Sequence, residues 1–158
     1  MFRPMRRSRQ QVSREECVRV LEEARRGTLA VIGDEGYPYA VPIDFRLDPE
    51  EDRIYFHCAR EGHKMDAIRA CDKVCLTAWD RGYQKEGHWS WYVTSVVAMG
   101  RAAEVTDETR RREKLRFMAE KYYPDAEELE AELEKDIGRV CLMEIRIEHM
   151  TGKLVHEQ

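Results

Sequence analysis

Two prolines, Pro38 and Pro42, stand inside a run that otherwise alternates as a β-strand, residues 37–47. Tyr39, Val41, Ile43, Phe45 and Leu47 fall on one face, and Pro38, Ala40, Pro42, Asp44 and Arg46 on the other. Proline carries no backbone N–H, so each one removes a rung from any ladder that needs it. Such a strand has to lie at a sheet edge or carry a bulge. Its neighbouring backbone groups are then left to meet something other than a strand, and a ligand is one candidate.

The surrounding pattern supplies the rest of a sheet. Residues 28–32 read as a short strand and Gly33-Asp34-Glu35-Gly36 as a turn, which makes a hairpin with 37–47. Ahead of it, Ser13-Arg14-Glu15-Glu16 is a capping box. Cys17, Val20, Leu21 and Ala24 follow at helical spacing, and Gly27 is expected to stop that helix. Beyond a turn at 48–52, strands are expected over 53–59, 73–79, 89–105 and 139–150, with a short helix at 63–69. Gly100 suggests a bend or bulge in the long strand. Thr106-Asp107 and Asp125 cap two further helices. Leu115, Met118 and Tyr122 line the first, which Pro124 ends; Leu129, Leu133 and Ile137 line the second, which Gly138 stops. Thr151-Gly152 reads as a final turn, and the basic, aperiodic residues 1–12 as a loose arm. Helices do not alternate with strands, so a doubly wound parallel sheet is disfavoured. Six or so antiparallel strands that need closure suggest a small barrel. The 158 residues suit one domain, 1–158.

Composition bears on function more than on fold. Lys and Arg total 27 against 31 Asp and Glu, for a net charge of −4. That lacks the basic excess of a general nucleic-acid binder. A mean hydropathy of −0.70 and the absence of a long apolar run argue against a membrane helix. No apolar segment follows the early arginines as it would in a signal peptide. Cys17, Cys58, Cys71, Cys75 and Cys141 are odd in number and read as reduced thiols of a cytoplasmic protein. Cys71 and Cys75 lack Cys-x-x-Cys spacing, and the adjacent His57 and Cys58 point to opposite faces of a strand, so no metal is expected. The acidic run 127–134 reads as a solvated helix face.

Chemistry concentrates in Tyr55-Phe56-His57-Cys58-Ala59-Arg60-Glu61-Gly62-His63-Lys64. A strand ends there, a glycine turn follows, and a helix begins with His-Lys. Free N–H groups at a helix start favour an anion, and Lys64 adds a point charge. His63 offers a second hydrogen bond. The segment reads equally as a phosphate site and as a helix start with a surface lysine. Ser90 and Ser95 lie in strand pattern, outside any Gly-x-Ser-x-Gly elbow. Neither Gly-x-Gly-x-x-Gly nor a Walker loop is present. If the chain is an enzyme, a cofactor is expected to carry the reactive group.

Four motifs in order complete the picture: Gly27-Thr28-Leu29-Ala30; Gly36-Tyr37-Pro38-Tyr39-Ala40-Val41-Pro42; Ile54-Tyr55-Phe56-His57-Cys58-Ala59 with Gly62-His63-Lys64; and Thr94-Ser95-Val96-Val97-Ala98-Met99-Gly100-Arg101-Ala102. Together they resemble the pyridoxamine 5'-phosphate oxidase-like, FMN-binding split-barrel proteins, nearest the nitroimidazole-resistance (Nim-type) group. The resemblance spans about residues 27–153. It implies a mainly β, six-stranded antiparallel split barrel with flanking helices, forming a homodimer with FMN at the subunit interface. It implies that the backbone around Pro42, Ile43 and Asp44 meets the flavin ring. His57, Cys58, Ala59, His63 and Lys64 would hold the phosphate. Ser95 matches a polar side chain that reaches the flavin of its own or the other subunit. The position of His63 is typically arginine in the oxidase branch. No counterpart of the oxidases' C-terminal substrate residues is found, which disfavours vitamin B6 oxidation. The aromatic stretch with Trp79, Tyr83, His88, Trp89 and Trp91 reads as core, as dimer interface or as a wall over the flavin. Two functions follow from the resemblance. One is an oxidoreductase passing electrons from a reduced nicotinamide or other donor to a small acceptor such as a nitroaromatic. The other is a non-catalytic carrier or sensor of flavin, deazaflavin or haem.

Overall fold

Ser13 caps the first helix as its sequence requires, its hydroxyl accepting from the Glu16 N–H at 3.2 Å. The structure, a computed structural model, describes residues 1–123, 125–136 and 140–155. Helix α1 (Arg14–Glu23) buries Cys17, Val20 and Leu21 against the sheet. Four strand segments come next: β1 (Arg26–Ile32), β2 (Pro38–Asp44), β3 (Arg46–Asp48) and β4 (Arg53–Ala59). Helix α2 (His63–Ala70) leads to β5 (Lys73–Trp79), the two-residue β6 (Tyr83–Gln84) and the long β7 (Trp91–Glu104). Helices α3 (Glu108–Glu120) and α4 (Ala126–Asp136) precede the last strand, β8 (Val140–Val155). No helix among the described residues is long and apolar enough to cross a membrane.

The sheet runs β2-β1-β5-β7-β8-β4-β3, and β6 pairs only with β7. Every one of these pairings is antiparallel. Its two ends, β2 and β3, are consecutive in the chain and joined through Phe45 alone. A sheet whose ends share one residue has to curl into a barrel. Because β2 pairs only with β1, that barrel is closed at β3–β4 and split beside β2. The reading of 37–47 as one edge strand is therefore corrected at Phe45. Pairing partners cause the break: residues 38–44 pair with β1, and residues 46–48 with β4. Counting β2 and β3 as one interrupted run, and leaving out β6, the segments reduce to the six strands of a split barrel. Inside it pack the apolar residues of alternate positions, among them Leu29, Ile43, Phe45, Ile54, Phe56, Leu76, Val96 and Ile145.

Several local readings change for physical reasons. Helix α1 ends at Ala24; Gly27 lies inside β1, where a Cβ would sit 2.9 Å from the Thr77 carbonyl oxygen. Thr151-Gly152 does not turn, since both residues pair with β7; a side chain at Gly152 would overlap Cys17 and Val12. The 1–12 arm is tied to β8 at both ends, with Gln11 bridged to Lys153, the Val12 N–H donating to the Gly152 carbonyl at 3.0 Å and Phe2 stacked on His149. Ile137 and Gly138, expected at the end of α4, and Pro124, expected to end α3, lie outside the described residues. Gly100 does mark a bulge, with the register slipping between Met99 and Gly100.

Tyr55 points out of the barrel yet is fully buried, because α3 covers it with Leu115 and Phe117. An ion network ties α3 to the 48–52 turn. The Lys114 ammonium, 6% exposed, donates to Asp48 at 3.0 Å and Glu51 at 2.7 Å. Arg110 donates to Glu51 at 2.6 Å. Arg110 first, and Lys114 after it, hold the Glu51 carboxyl down to about 2, against roughly 4.3 for a free glutamate. The depressed value stabilises the fold above pH 4 and stops doing so as pH falls from there towards 2. Glu51→Gln should therefore flatten the acid limb of a melting-temperature profile between pH 5 and 2.5. An acid limb parallel to that of the parent would show that Glu51 does not couple to folding.

Candidate functional site

The hydrogen bond from the Gly33 N–H to the Tyr37 carbonyl, 2.8 Å, sets the phase of the whole hairpin. In the antiparallel register Arg26↔Asp44 through Ile32↔Pro38, it makes Tyr39, Val41 and Ile43 the residues bonded to β1. Pro38, Ala40, Pro42 and Asp44 then turn their backbone groups to the open side. Both prolines thus place their donorless nitrogens where no rung is lost, as an edge strand requires. Across the split stand His57 on β4 and the start of α2. Arg26, Pro42, Ile43, Asp44, His57 and Lys64 enclose an open groove of about 290 Å³.

The helix end of this groove is electropositive. No side chain caps α2; Met65 and Asp66 donate to the Gly62 carbonyl, which leaves the N–H groups of His63 and Lys64 without an intrahelical acceptor. The half-buried Lys64 has its ammonium 5.6 Å from the Phe56 ring. Arg26 lines the opposite side and holds Asp44 at 2.7 Å.

Five of the residues expected at the site, Pro42, Ile43, Asp44, His57 and Lys64, meet at the groove. The remaining four do not line it. His63 turns to the β1–β2 hairpin, stacked on Tyr39 at 4.1 Å with its Nε2 accepting from the Asp34 N–H at 3.4 Å. The Cys58 thiol points into the core, 3.4 Å from the Met65 sulfur, and burial pushes its pKa up. Ala59 is the exposed last residue of β4, opposite Val140. Ser95 sits on β7 between Trp79 and Lys153, three strands from β2. Arg26 was not anticipated, although the hairpin register places it opposite Asp44 and makes it legible.

Where the split begins, the Phe45 backbone leaves both ladders and is satisfied by Lys121 and Tyr122, just past the end of α3. The Phe45 N–H donates to the Tyr122 hydroxyl at 2.7 Å. Lys121 donates to the carbonyls of Leu21, Ala24 and Phe45, and its burial lowers its pKa to about 8. These contacts fix the backbone next to Asp44, which lines the groove.

A family description covers this arrangement almost end to end: the sequence model of pyridoxamine 5'-phosphate oxidase matches residues 13–154. The chain belongs to the pyridoxamine 5'-phosphate oxidase family. No curated protein matches it. Solved structures similar to this family member include a Bacteroides thetaiotaomicron protein assigned by name to 5-nitroimidazole antibiotic resistance. The two are 20% identical, with 94% of this chain and 90% of that one covered at a TM-score of 0.79. An FAD-binding protein of Mesorhizobium loti is 24% identical, with 92% and 96% covered at 0.65. An FAD- and heme-binding protein of Mycobacterium smegmatis is 20% identical, with 92% and 73% covered at 0.74. At these identities the likeness shows the fold, a split barrel.

Two further features of this oxidase-family chain complete the description. Trp79, Trp89 and Trp91 are all more than half exposed, so none is barrel core. A second cavity, against α3 and α4, meets the groove at Asp44 and His57.

Proposed function

We propose that this chain is a flavin-dependent oxidoreductase, a homodimer that holds FMN in the split of each barrel. The observation that carries this reading is the open β2 edge facing a groove that ends on Lys64 and the uncapped start of α2. The residues fit the group. A flavin ring carries donors and acceptors along one side, matching the outward backbone groups of Ala40, Pro42 and Asp44. A phosphate matches Lys64 and the free N–H groups of His63 and Lys64. Bound there, a flavin supplies one- and two-electron transfer, while the protein binds, orients and excludes water. The acceptor in this reading is a small molecule such as a nitroaromatic, and the donor a reduced nicotinamide. The expected setting is the cytoplasm, with no nucleic acid or membrane involved.

One chain alone makes a shallow site. The groove's volume lies at the low end for small-molecule sites, and Ser95 stands outside it. The outer face of β1, β5 and β7 shows Ala30, Ile32, Cys75, Val97 and Met99 without a covering helix, flanked by Trp79 and Trp91. A second copy on that face completes the site and gives Ser95 the partner's flavin to reach. An interface of this kind buries upwards of about 2,000 Å². Light scattering at micromolar concentration should give twice the chain mass; a monomer mass would sink the dimer.

Purified protein should be yellow, and chromatography of the released cofactor should identify FMN. FAD, named for three structural neighbours, is the alternative the same run detects, and a Soret band would indicate haem. Absence of any flavin after reconstitution overturns the reading. Oxidation of NAD(P)H that accelerates with a nitroaromatic separates an enzyme from a carrier.

His57 faces both groove and cavity, and in this reading it binds and orients without moving a proton. His57→Gln should leave single-turnover acceptor reduction within a few-fold of the parent at equal flavin occupancy. A fall by the 10²–10⁴ expected of a lost general acid, with occupancy unchanged, would make the histidine catalytic.

A further inference from the structure

The cavity against α3 and α4 has no task in the reading above. It measures about 460 Å³, well inside the range of small-molecule sites. Its walls are apolar: Leu115, Met118 and Ala119 from α3, Leu129 and Leu133 from α4, and Val140 at the start of β8. Its rim is polar and includes Asp44 and His57, the two residues it shares with the groove. Whatever occupies the cavity therefore reaches the groove at that rim.

Arg25, exposed to solvent, completes the rim. Asp44 is matched by Arg26, but Arg25 has no carboxylate partner among the described residues. Its guanidinium lies 5.4 Å over the Tyr122 ring. Tyr122 is itself fixed, its hydroxyl lying 2.7 Å from the Arg25 carbonyl and 2.6 Å from that of Phe45. Tyr122 and Tyr123 add ring faces to the rim. The result is an apolar chamber with two tyrosines at its mouth and, beside them, an exposed cation that pairs with no carboxylate among the described residues.

We propose that this chamber binds a planar aromatic acid, its carboxylate at Arg25 and its ring between α3 and α4. The proposal rests on the flavin reading for its redox meaning, since it names the substrate class of that site. It does not rest on that reading for binding. A cationic ligand is repelled by Arg25, and a neutral one gains nothing from its charge.

Calorimetric titration tests it with 4-nitrobenzoate, with its neutral analogue 4-nitrobenzyl alcohol, and with octanoate as an aliphatic acid. Each is added to flavin-loaded and to flavin-free protein. The expected result is that 4-nitrobenzoate binds about tenfold more tightly than the other two. Arg25→Gln should erase its advantage over the alcohol. Leu133→Trp and Ala119→Phe, which fill the chamber, should each weaken 4-nitrobenzoate at least about tenfold and leave flavin affinity unchanged. An unchanged preference in Arg25→Gln, parent-like affinity in the folded filled variants, or octanoate binding as tightly as 4-nitrobenzoate overturns the proposal. Arg25-dependent binding to a protein that takes no flavin upholds the chamber and overturns the flavin reading. Flavin uptake without binding of the acid overturns the chamber alone.

Discussion

Lys64→Ala is expected to raise the flavin dissociation constant by about one to two decades, more than any other single removal of charge. A charge-assisted hydrogen bond to a phosphate is worth roughly 1.5–3 kcal/mol, which is that range of affinity. Lys64 has no acidic partner among the described ion pairs, and a flavin phosphate would supply one. Arg26 makes the useful control. Its guanidinium is already committed to Asp44, so Arg26→Ala loses less. Stability should hardly respond to Lys64→Ala, since the side chain makes only a loose approach to the Phe56 ring. Fluorescence titration of flavin into the apoprotein measures the effect. An unchanged dissociation constant would mean that the phosphate lies elsewhere.

The second large effect falls on stability. Gly100→Ala should cost about 3 kcal/mol, at the upper end of ordinary overpacking penalties. At the bulge of β7 a Cβ on residue 100 would overlap the Arg146 carbonyl of β8 and press on the Ile145 side chain. The obstacle is backbone, so no rotamer change relieves it; β7 and β8 have to part. For a chain of this size the loss corresponds to a fall in melting temperature of about 6–12 °C. A fall under about 2 °C would show that the bulge can widen without cost. Within one chain neither strand lines the groove, so any change in flavin affinity of the folded fraction would come through the dimer face that β7 carries.

These two residues also show what kinds of feature a sequence reveals. Gly100 could be read as a bulge because a glycine inside a long alternating run has few other uses. Lys64 could be read as part of an anion site because a helix start is a local event. The open edge of β2 followed from two prolines in equal phase. What escaped was set by elements far away in the chain. Phe45 breaks its strand because its two sides pair with β1 and β4. Tyr55 is buried because α3 covers an outward position. Gly27 and Gly152 resemble stops, yet each sits in a ladder where another segment comes too close for a side chain. Within the site, motif order pointed to Pro42, Ile43, Asp44, His57 and Lys64, which do converge. His63 departs because Tyr39 and Asp34 engage it, and neither contact is visible before the hairpin is folded. The α3–α4 chamber had no signature at all, since its walls come from helices whose apolar stripes would look the same over any core.

The strand order has a consequence for how the chain matures. Among the described residues, β8 is the one ladder partner that joins β4 to β7, and it follows both in the chain. While the chain emerges from a ribosome at roughly 5–20 residues per second, β2, β1, β5 and β7 can already form a four-stranded antiparallel sheet. Strands β3 and β4 can form only an isolated hairpin, which is marginal in water. The two walls of the groove belong to these separate pieces, β2 to the first and His57 to the second. The groove therefore does not exist until residues 140–155 are out and paired, and under the flavin reading proposed above cofactor capture would report a completed barrel.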